Sequence, residues 1–246
     1  MKACIVIPCY EHGASIARLV AALAGYGLPI YIVDDGSGPA TQAELARVRA
    51  QFPLVRLSRL PLNSGKGAAV AHGMRHALAD GMTHALQIDA DGQHDPADAA
   101  RFLERARQRP DAVICGLAEF DDSVPKARFY GRYLTHACVW LETLSFDIQD
   151  SMCGYRLYPL AALRPLLEAG AVPPRMDYDT AVLVRLHWRG VPVEQIPTRV
   201  VYPPGGLSHF RMLRDNLRLV RMHALLIAGM LLRAPLLVAR RLRRPA

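Results

Sequence analysis

The feature that most limits the fold is a regular alternation of short apolar runs and helical stretches through the first half of the chain. Residues 3–8, 30–34, 54–58, 84–89 and 112–116 are short and apolar, and read as buried strands. Between them, residues 15–24, 41–50, 67–79 and 98–108 carry apolar positions at helical spacing. This predicts an α/β fold: a mostly parallel sheet flanked by helices on both faces. Such sheets bind ligands beyond the carboxyl ends of their strands, near the point where strand order reverses. The polar clusters fall at such ends: Tyr10-Glu11 after the first strand, Asp34-Asp35-Gly36-Ser37 after the second, Asn63-Ser64-Gly65-Lys66-Gly67 before the third helix, and Asp89-Ala90-Asp91-Gly92-Gln93-His94 after the fourth strand.

The second half is less regular. Residues 117–130 read as a loop, 130–144 as a helix, and 150–158 as a loop leading into a strand. A helix over 179–188, a strand over 191–196 and a Pro/Gly loop over 202–208 follow.

Length and composition fit one large globular domain or two small ones, with 51% hydrophobic and 21% charged residues in 246. Five scattered cysteines without a C-x-x-C spacing argue against a disulfide framework or a zinc site, and for a reducing compartment. The apolar run ending at Pro8 is too short for the core of a signal peptide.

The net charge of +8 has a specific location. Residues 1–210 hold 21 Lys+Arg against 21 Asp+Glu, whereas 211–246 hold nine arginines against Asp215 alone. Basicity therefore belongs to the tail, and with no interleaved aromatics there it does not point to nucleic acid. In that tail Leu213, Leu217, Val220 and Ala224 recur at helical spacing beside Arg211, Arg214, Arg218 and Arg221. Apolar stretches over 224–232 and 234–239 follow, interrupted by Arg233 and Pro235. A spanning helix needs about 20 apolar residues, so the expectation is an amphipathic segment lying in a membrane interface, or a shallow re-entrant hairpin. The alternative is a C-terminal helix packed on the domain with a solvated basic face. The chain accordingly divides into residues 1–209 and a basic segment, 210–246.

Asp89 and Asp91, two residues apart where a strand ends, can both face a cation, and Gln93 adds a neutral oxygen. Hard oxygen ligands suit Mg²⁺ or Mn²⁺. The competing reading is an acidic turn, with Asp95 capping a helix that starts at Pro96. Asp34-Asp35 can accept hydrogen bonds from a nucleobase or ribose, or end the strand in an Asx-turn. Gly65-Lys66-Gly67 can offer N–H groups and a charge to an anion. It lacks the spacing and the Lys-Ser/Thr pair of a P-loop.

Taken together, Ile5-Val6-Ile7-Pro8-Cys9-Tyr10-Glu11, Val33-Asp34-Asp35-Gly36-Ser37, Asn63–Gly67 and Asp89–His94 resemble the family 2 glycosyltransferases of GT-A fold, over roughly residues 3–200. The pattern is particularly similar to the branch with polyprenyl-phosphate (dolichyl-phosphate) mannose and glucose synthases. Tyr10 and Glu11 are adjacent here, where the family usually has an asparagine nearby. The resemblance implies an inverting transferase using a UDP- or GDP-linked sugar and a lipid acceptor. Pro8, Tyr10, Glu11, Asp34, Asp35, Lys66, Asp89 and Ala90 would meet the donor, and Asp89, Asp91 and Gln93 the metal. Arg128, Arg132, Arg156 (in Asp150-Ser151-Met152-Cys153-Gly154-Tyr155-Arg156) and Arg211 would approach the acceptor phosphate. Asp177 and Asp179 are the candidate bases, each equally suited to capping a helix. His94 and His209 are the histidines expected near the site. With the arginine tail, these expectations put the enzyme at the cytoplasmic face of the inner membrane, peripheral or monotopic. A polyprenyl phosphate is the leading acceptor and a hydroxyl-bearing lipid the variant. A non-enzymatic module using the tail to bind membrane or nucleic acid is the remoter alternative.

Overall fold

The computed structural model describes residues 1–120, 126–201 and 211–242, apart from the side chains of residues 120 and 126–130. The centre of the sheet is β1 (Ala3–Cys9), whose seven residues are all buried. It is flanked in parallel by β2 (Ile30–Asp34) on one side and β4 (His84–Gln87) on the other, with β3 (Val55–Arg59) outside β2. Beyond β4 come β6 (Arg156–Pro159), β5 (Val113–Phe120) and β7 (Val193–Val200), giving the order β3-β2-β1-β4-β6-β5-β7. Among the described strands β6 alone runs antiparallel to its neighbours. The chain leaves β1 toward β2 on one side and returns to β4 on the other, so the switch point lies between β1 and β4. Asp34-Asp35 and Asp89–His94 flank the carboxyl end of β1.

Helices cover both faces. On one, α1 (Gly13–Ala24), α2 (Pro39–Gln51) and α4 (Ala99–Gln108) bury Ile16, Leu23, Leu45, Val48 and Phe102 against Ile5, Ile7 and Ile32. On the other lie α3 (Lys66–Ala79), α5 (Lys126–Thr143), α6 (Leu160–Glu168), α7 (Tyr178–Trp188) and α8 (Met212–Leu242). Their core joins Val70 and Met74 to Leu163, Val182 and Leu183, and continues through Met222, Leu226, Met230 and Leu237 of α8. A strand's side chains alternate between faces, so each inner strand feeds both cores.

Several elements depart from the sequence expectations: α6 forms where none was expected, and α5 begins at Lys126, inside the segment expected to be a loop. β5 runs four residues past 116, because β7 pairs with it from Val113↔Val193 to Phe120↔Val200. β7 in turn extends through Pro197. Proline is tolerated there because β7 is an edge strand with one side unpaired. β4 ends at Gln87, which frees Asp89 from the ladder. The tail is one 31-residue helix, unbroken at Arg233 and Pro235. By length and composition it is enough to cross a membrane, contrary to the split reading, although one face packs on the body.

Candidate active site

The site is built at the carboxyl ends of β1, β2 and β4. After β1, Glu11 adopts a left-handed backbone (φ 56°), and its N–H donates to Ser37 Oγ at 3.0 Å. Its carboxylate accepts from the Gly38 N–H (2.7 Å) and the Thr41 hydroxyl (2.9 Å), so Glu11 caps α2. Asp34 accepts from the Ser37 N–H at 2.8 Å and lies 3.5 Å from Arg59 Nε, which is the side-chain turn foreseen as its alternative. Gly36 (φ 74°) is required there, since a Cβ would fall 2.5 Å from the Leu62 backbone. Asp35 is buried and takes the Ser64 and Gly65 N–H groups on separate oxygens at 2.7 and 2.8 Å. Burial pushes its carboxyl above the usual range against the pull of those two donors.

The glycines around Lys66 serve backbone packing. A Cβ on Gly65 would meet Pro174 O at 2.5 Å, and one on Gly67 would meet Pro173 O at 2.2 Å. The Ala68 N–H donates to Pro174 O, and Arg175 donates to Asn63 Oδ1 at 2.8 Å. The expected anion cradle is thus occupied by residues 173–175 of the chain itself. Arg175 was not foreseen, because only the folded chain brings position 175 to position 63.

Lys66 reaches inward. Its Nζ lies 2.8 Å from Asp89 Oδ2 and 2.7 Å from Asp179 Oδ2. Burial works against its charge, but the two carboxylates outweigh this and hold its pKa above the ordinary lysine value. Asp179 also accepts from Gln87 Nε2 at 3.0 Å, so both its oxygens are engaged. Asp177, at the turn before α7, makes no capping bond. Its Oδ1 is buried without a partner, and burial raises its pKa.

The turn after β4 is held from three sides. Ala90 O accepts from the Ser15 hydroxyl, and Asp91 Oδ1 from the Gln93 N–H at 3.0 Å. Gln93 O accepts from the Val201 N–H at 3.0 Å, tying the turn to the end of β7. Asp95 caps the short turn at Pro96–Asp98 through the Ala97 N–H, which leaves Asp89 and Asp91 outside that role. His94 is buried against Tyr155, and burial lowers its pKa. Burial opposes the charge on Asp89, yet Lys66 and His94 bring its pKa below the usual value. Asp91 is pushed up by burial and by repulsion from Asp89.

Asp89 Oδ1 is buried with no hydrogen-bond partner. An orphaned carboxylate oxygen beside a second, mutually repelling carboxylate is a donor set that a divalent cation satisfies. No group of three His, Cys, Asp or Glu ligands surrounds it among the described residues. Asp89, Asp91 and Gln93 therefore fit a cation that takes its remaining oxygens from substrate and water, as Mg²⁺ does when it bridges phosphates.

The segment Asp150–Arg156, expected on the acceptor side, is delivered to the same place. A Cβ on Gly154 would lie 2.3 Å from Asp89 Oδ2 and 2.6 Å from Lys66 Nζ, so this glycine lets the chain touch the motif. Asp150 is buried and accepts from the Ala118, Met152 and Cys153 N–H groups and from Arg132, with His136 at 3.9 Å. Burial opposes its charge, but His136 and Arg132 hold its carboxyl well below the usual range. Arg156 is fully buried and donates to the carbonyls of Ser151, Cys153 and Asp179. It braces the wall and does not face the cleft. Arg211 is exposed at the start of α8. The side chain of Arg128 and the whole of His209 lie outside the described residues, while Pro8 and Tyr10 lie at the end of β1 beside the cleft.

The model of glycosyl transferase family 2 matches residues 4–161, more than half of the chain. A dolichyl-phosphate beta-glucosyltransferase of Trichomonas vaginalis is 27% identical over 78% of this chain and 61% of its own length. An undecaprenyl-phosphate 4-deoxy-4-formamido-L-arabinose transferase of Edwardsiella ictaluri is 34% identical over 66% of this chain and 50% of its own. The chain thus spans less than two-thirds of either relative. Among solved structures, glucosyl-3-phosphoglycerate synthase from Mycobacterium tuberculosis, in complex with Mn²⁺ and UDP-glucose, superposes with a TM-score of 0.66 at 15% identity. That match covers 94% of this chain and 78% of that one, and it shows the shared GT-A fold. With the sheet order, the clustered carboxyl-end motifs and the family match in agreement, the chain belongs to glycosyl transferase family 2.

Proposed function

We propose that this glycosyltransferase moves a sugar from a UDP- or GDP-linked donor, with Mg²⁺ or Mn²⁺, to a polyprenyl phosphate at the cytoplasmic face of the inner membrane, inverting the anomeric centre. The observation that carries the donor half is the Asp89–Asp91 pair, with its orphaned oxygen, at the switch point of the sheet. Asp89, Asp91 and Gln93 would hold the cation. When bound, it offsets charge developing on the departing diphosphate. Asp35 fixes the loop at residues 64–65 beside the donor, and Lys66 keeps Asp89 ionised and in place. Ala90, with its carbonyl tied to Ser15, holds the turn in shape.

The acceptor half is supported by Asp150 and Arg132. Arg132 pairs with Asp150, in the segment whose Gly154 lies against Asp89 and Lys66, and there its guanidinium would be available to an acceptor phosphate. A lipid phosphate is already ionised, so its attack on the sugar needs no proton removed. This agrees with Asp179, whose carboxylate is committed to Lys66 and Gln87. Membrane association is supported by α8, with its apolar outer residues and neighbouring arginines.

One observation favours a second reading. Asp177 keeps an unpartnered oxygen and a raised pKa, the properties of a base that could activate a hydroxyl acceptor. The test is release of free nucleotide from a panel of UDP- and GDP-sugars with Mn²⁺, in the presence of either a polyprenyl phosphate or a neutral glycolipid. The proposal expects lipid-phosphate-dependent turnover, and an Asp177→Asn variant within about threefold of wild type. Turnover only with the neutral lipid, lost on the order of 100-fold in Asp177→Asn, would establish the hydroxyl reading instead.

A further inference from the structure

Between α6 and α7 the chain runs through Pro173-Pro174-Arg175, packed against residues 63–68. Two adjacent prolines fix φ and bias the residue before each toward an extended backbone, so the segment is stiff on its own. The Pro174 carbonyl accepts from the Ala68 N–H at 2.8 Å. Gly65 has a left-handed backbone (φ 105°), and a Cβ there would fall 2.7 Å from Arg175 Cγ, so the arginine stem lies directly over this glycine.

Arg175 closes the contact. Its guanidinium donates to Asn63 Oδ1 at 2.8 Å and to Asn63 O at 3.2 Å. A guanidinium offers donors only, so the Asn63 amide must turn its oxygen toward Arg175, which fixes its Nδ2 group on the other edge. The loop at residues 62–65 is thereby held between two walls. On one, Asp35 takes the Ser64 and Gly65 N–H groups, and Gly36 packs against Leu62. On the other stands Arg175. Burial raises the pKa of Asp35, and the charge of Arg175 is among the influences that pull it back. Arg175 O accepts from the Tyr178 N–H at 3.1 Å as α7 begins, and Asp179 of that helix pairs with Lys66.

We infer that Arg175 is a positioning residue for the nucleoside of the donor, acting through Asn63 and the loop that Asp35 holds from the other side. The inference rests on the donor reading above, with Asp34-Asp35 at the base and ribose. Among the described residues the hydrogen bonds of the Arg175 guanidinium go to Asn63, and none goes to Asp89, Asp91 or Gln93. Its influence therefore falls on the nucleoside end of the donor and spares the diphosphate end. A preformed loop binds without the cost of ordering it, and a loop freed from one wall must bear that cost on every binding event.

The test is calorimetric binding of UDP, GDP and inorganic pyrophosphate, each with Mn²⁺, to the full chain. Wild type is compared with Arg175→Ala, Arg175→Lys, Asn63→Ala and the double alanine variant. Each alanine variant should weaken the nucleotide that wild type binds on the order of tenfold and leave pyrophosphate within about twofold. The double variant should lose no more than either single one, because both remove the same contact. Lysine keeps the charge beside Asp35 but not the planar fork, so Arg175→Lys should recover only part of the loss. If Arg175→Ala lowers the melting temperature, Asn63→Ala and Arg175→Lys decide on the same ratio of nucleotide to pyrophosphate affinity. Unchanged nucleotide affinity in the variants, or an equal loss for pyrophosphate, would overturn the inference and leave the donor reading intact. Full recovery in Arg175→Lys would also overturn it, by assigning the effect to charge on Asp35. A wild type that binds neither UDP nor GDP would overturn the donor reading and the inference with it.

Discussion

At the scale of single residues the site depends on charges that are buried and matched. Asp150 shows the principle most fully: three backbone N–H groups and Arg132 converge on it, and with His136 they hold its pKa below the ordinary carboxylate value. A carboxylate with a depressed folded pKa stabilises the protein above its unfolded pKa and loses that contribution as pH falls through the folded one. Asp150→Asn should therefore cost about 3–5 kcal/mol at pH 7, and the gap from wild type should narrow as pH drops below 3.8. Urea unfolding between pH 3 and pH 7 measures it, and a gap that does not change with pH would contradict the assignment. Several residues could be placed from sequence because local spacing determines them: Asp34 in its turn, Asp95 as a cap, and Asp89 with Asp91 at a strand end. The partners of Lys66, Glu11 and Arg156 could not. Each has at least one partner 23 or more positions away along the chain, although Arg156 also takes the nearby Ser151 and Cys153 carbonyls.

At the scale of elements, the first four strands were legible because each is a short apolar run closed by a polar turn, which parallel crossovers require. β5 and β7 are longer than their apolar runs predict. Their extra residues are extended because they pair with each other, and Pro197 and Glu119 give no local sign of it. Arg233 and Pro235 predict a break in α8, and none occurs. The structure shows that the Arg233 side chain lies over the Trp188 ring at 4.9 Å, while Gly229 lets the indole approach. A buried stripe at Met222, Leu226 and Met230 then carries the helix past Pro235. If α8 belongs to the cooperative unit, Leu226→Ala should lower unfolding free energy by about 2–4 kcal/mol. An unchanged denaturation midpoint would mean that α8 is an appendage.

At the scale of the molecule, two kinds of surface meet. The sheet's switch point gathers Asp35, Lys66, Asp89 and Asp91, and Gly154 brings the segment that carries Asp150, with its partner Arg132, into contact with Asp89 and Lys66. The chain's charge is divided in the same sense, with a neutral body and all of the excess in the final segment. The central claim is that the Asp89–Asp91 site binds a nucleoside diphosphate through a divalent cation. The most direct measurement is the melting temperature of the full chain with UDP or GDP, each with and without Mn²⁺, beside an Asp91→Asn variant. At ligand about 100-fold above Kd, stabilisation is about 2.7 kcal/mol, or roughly 5–10 °C for a chain of this size. The account predicts such a rise for at least one of the two nucleotides, dependent on Mn²⁺ and absent in Asp91→Asn. No shift with either nucleotide in the presence of Mn²⁺, or an equal shift in the variant, would contradict it.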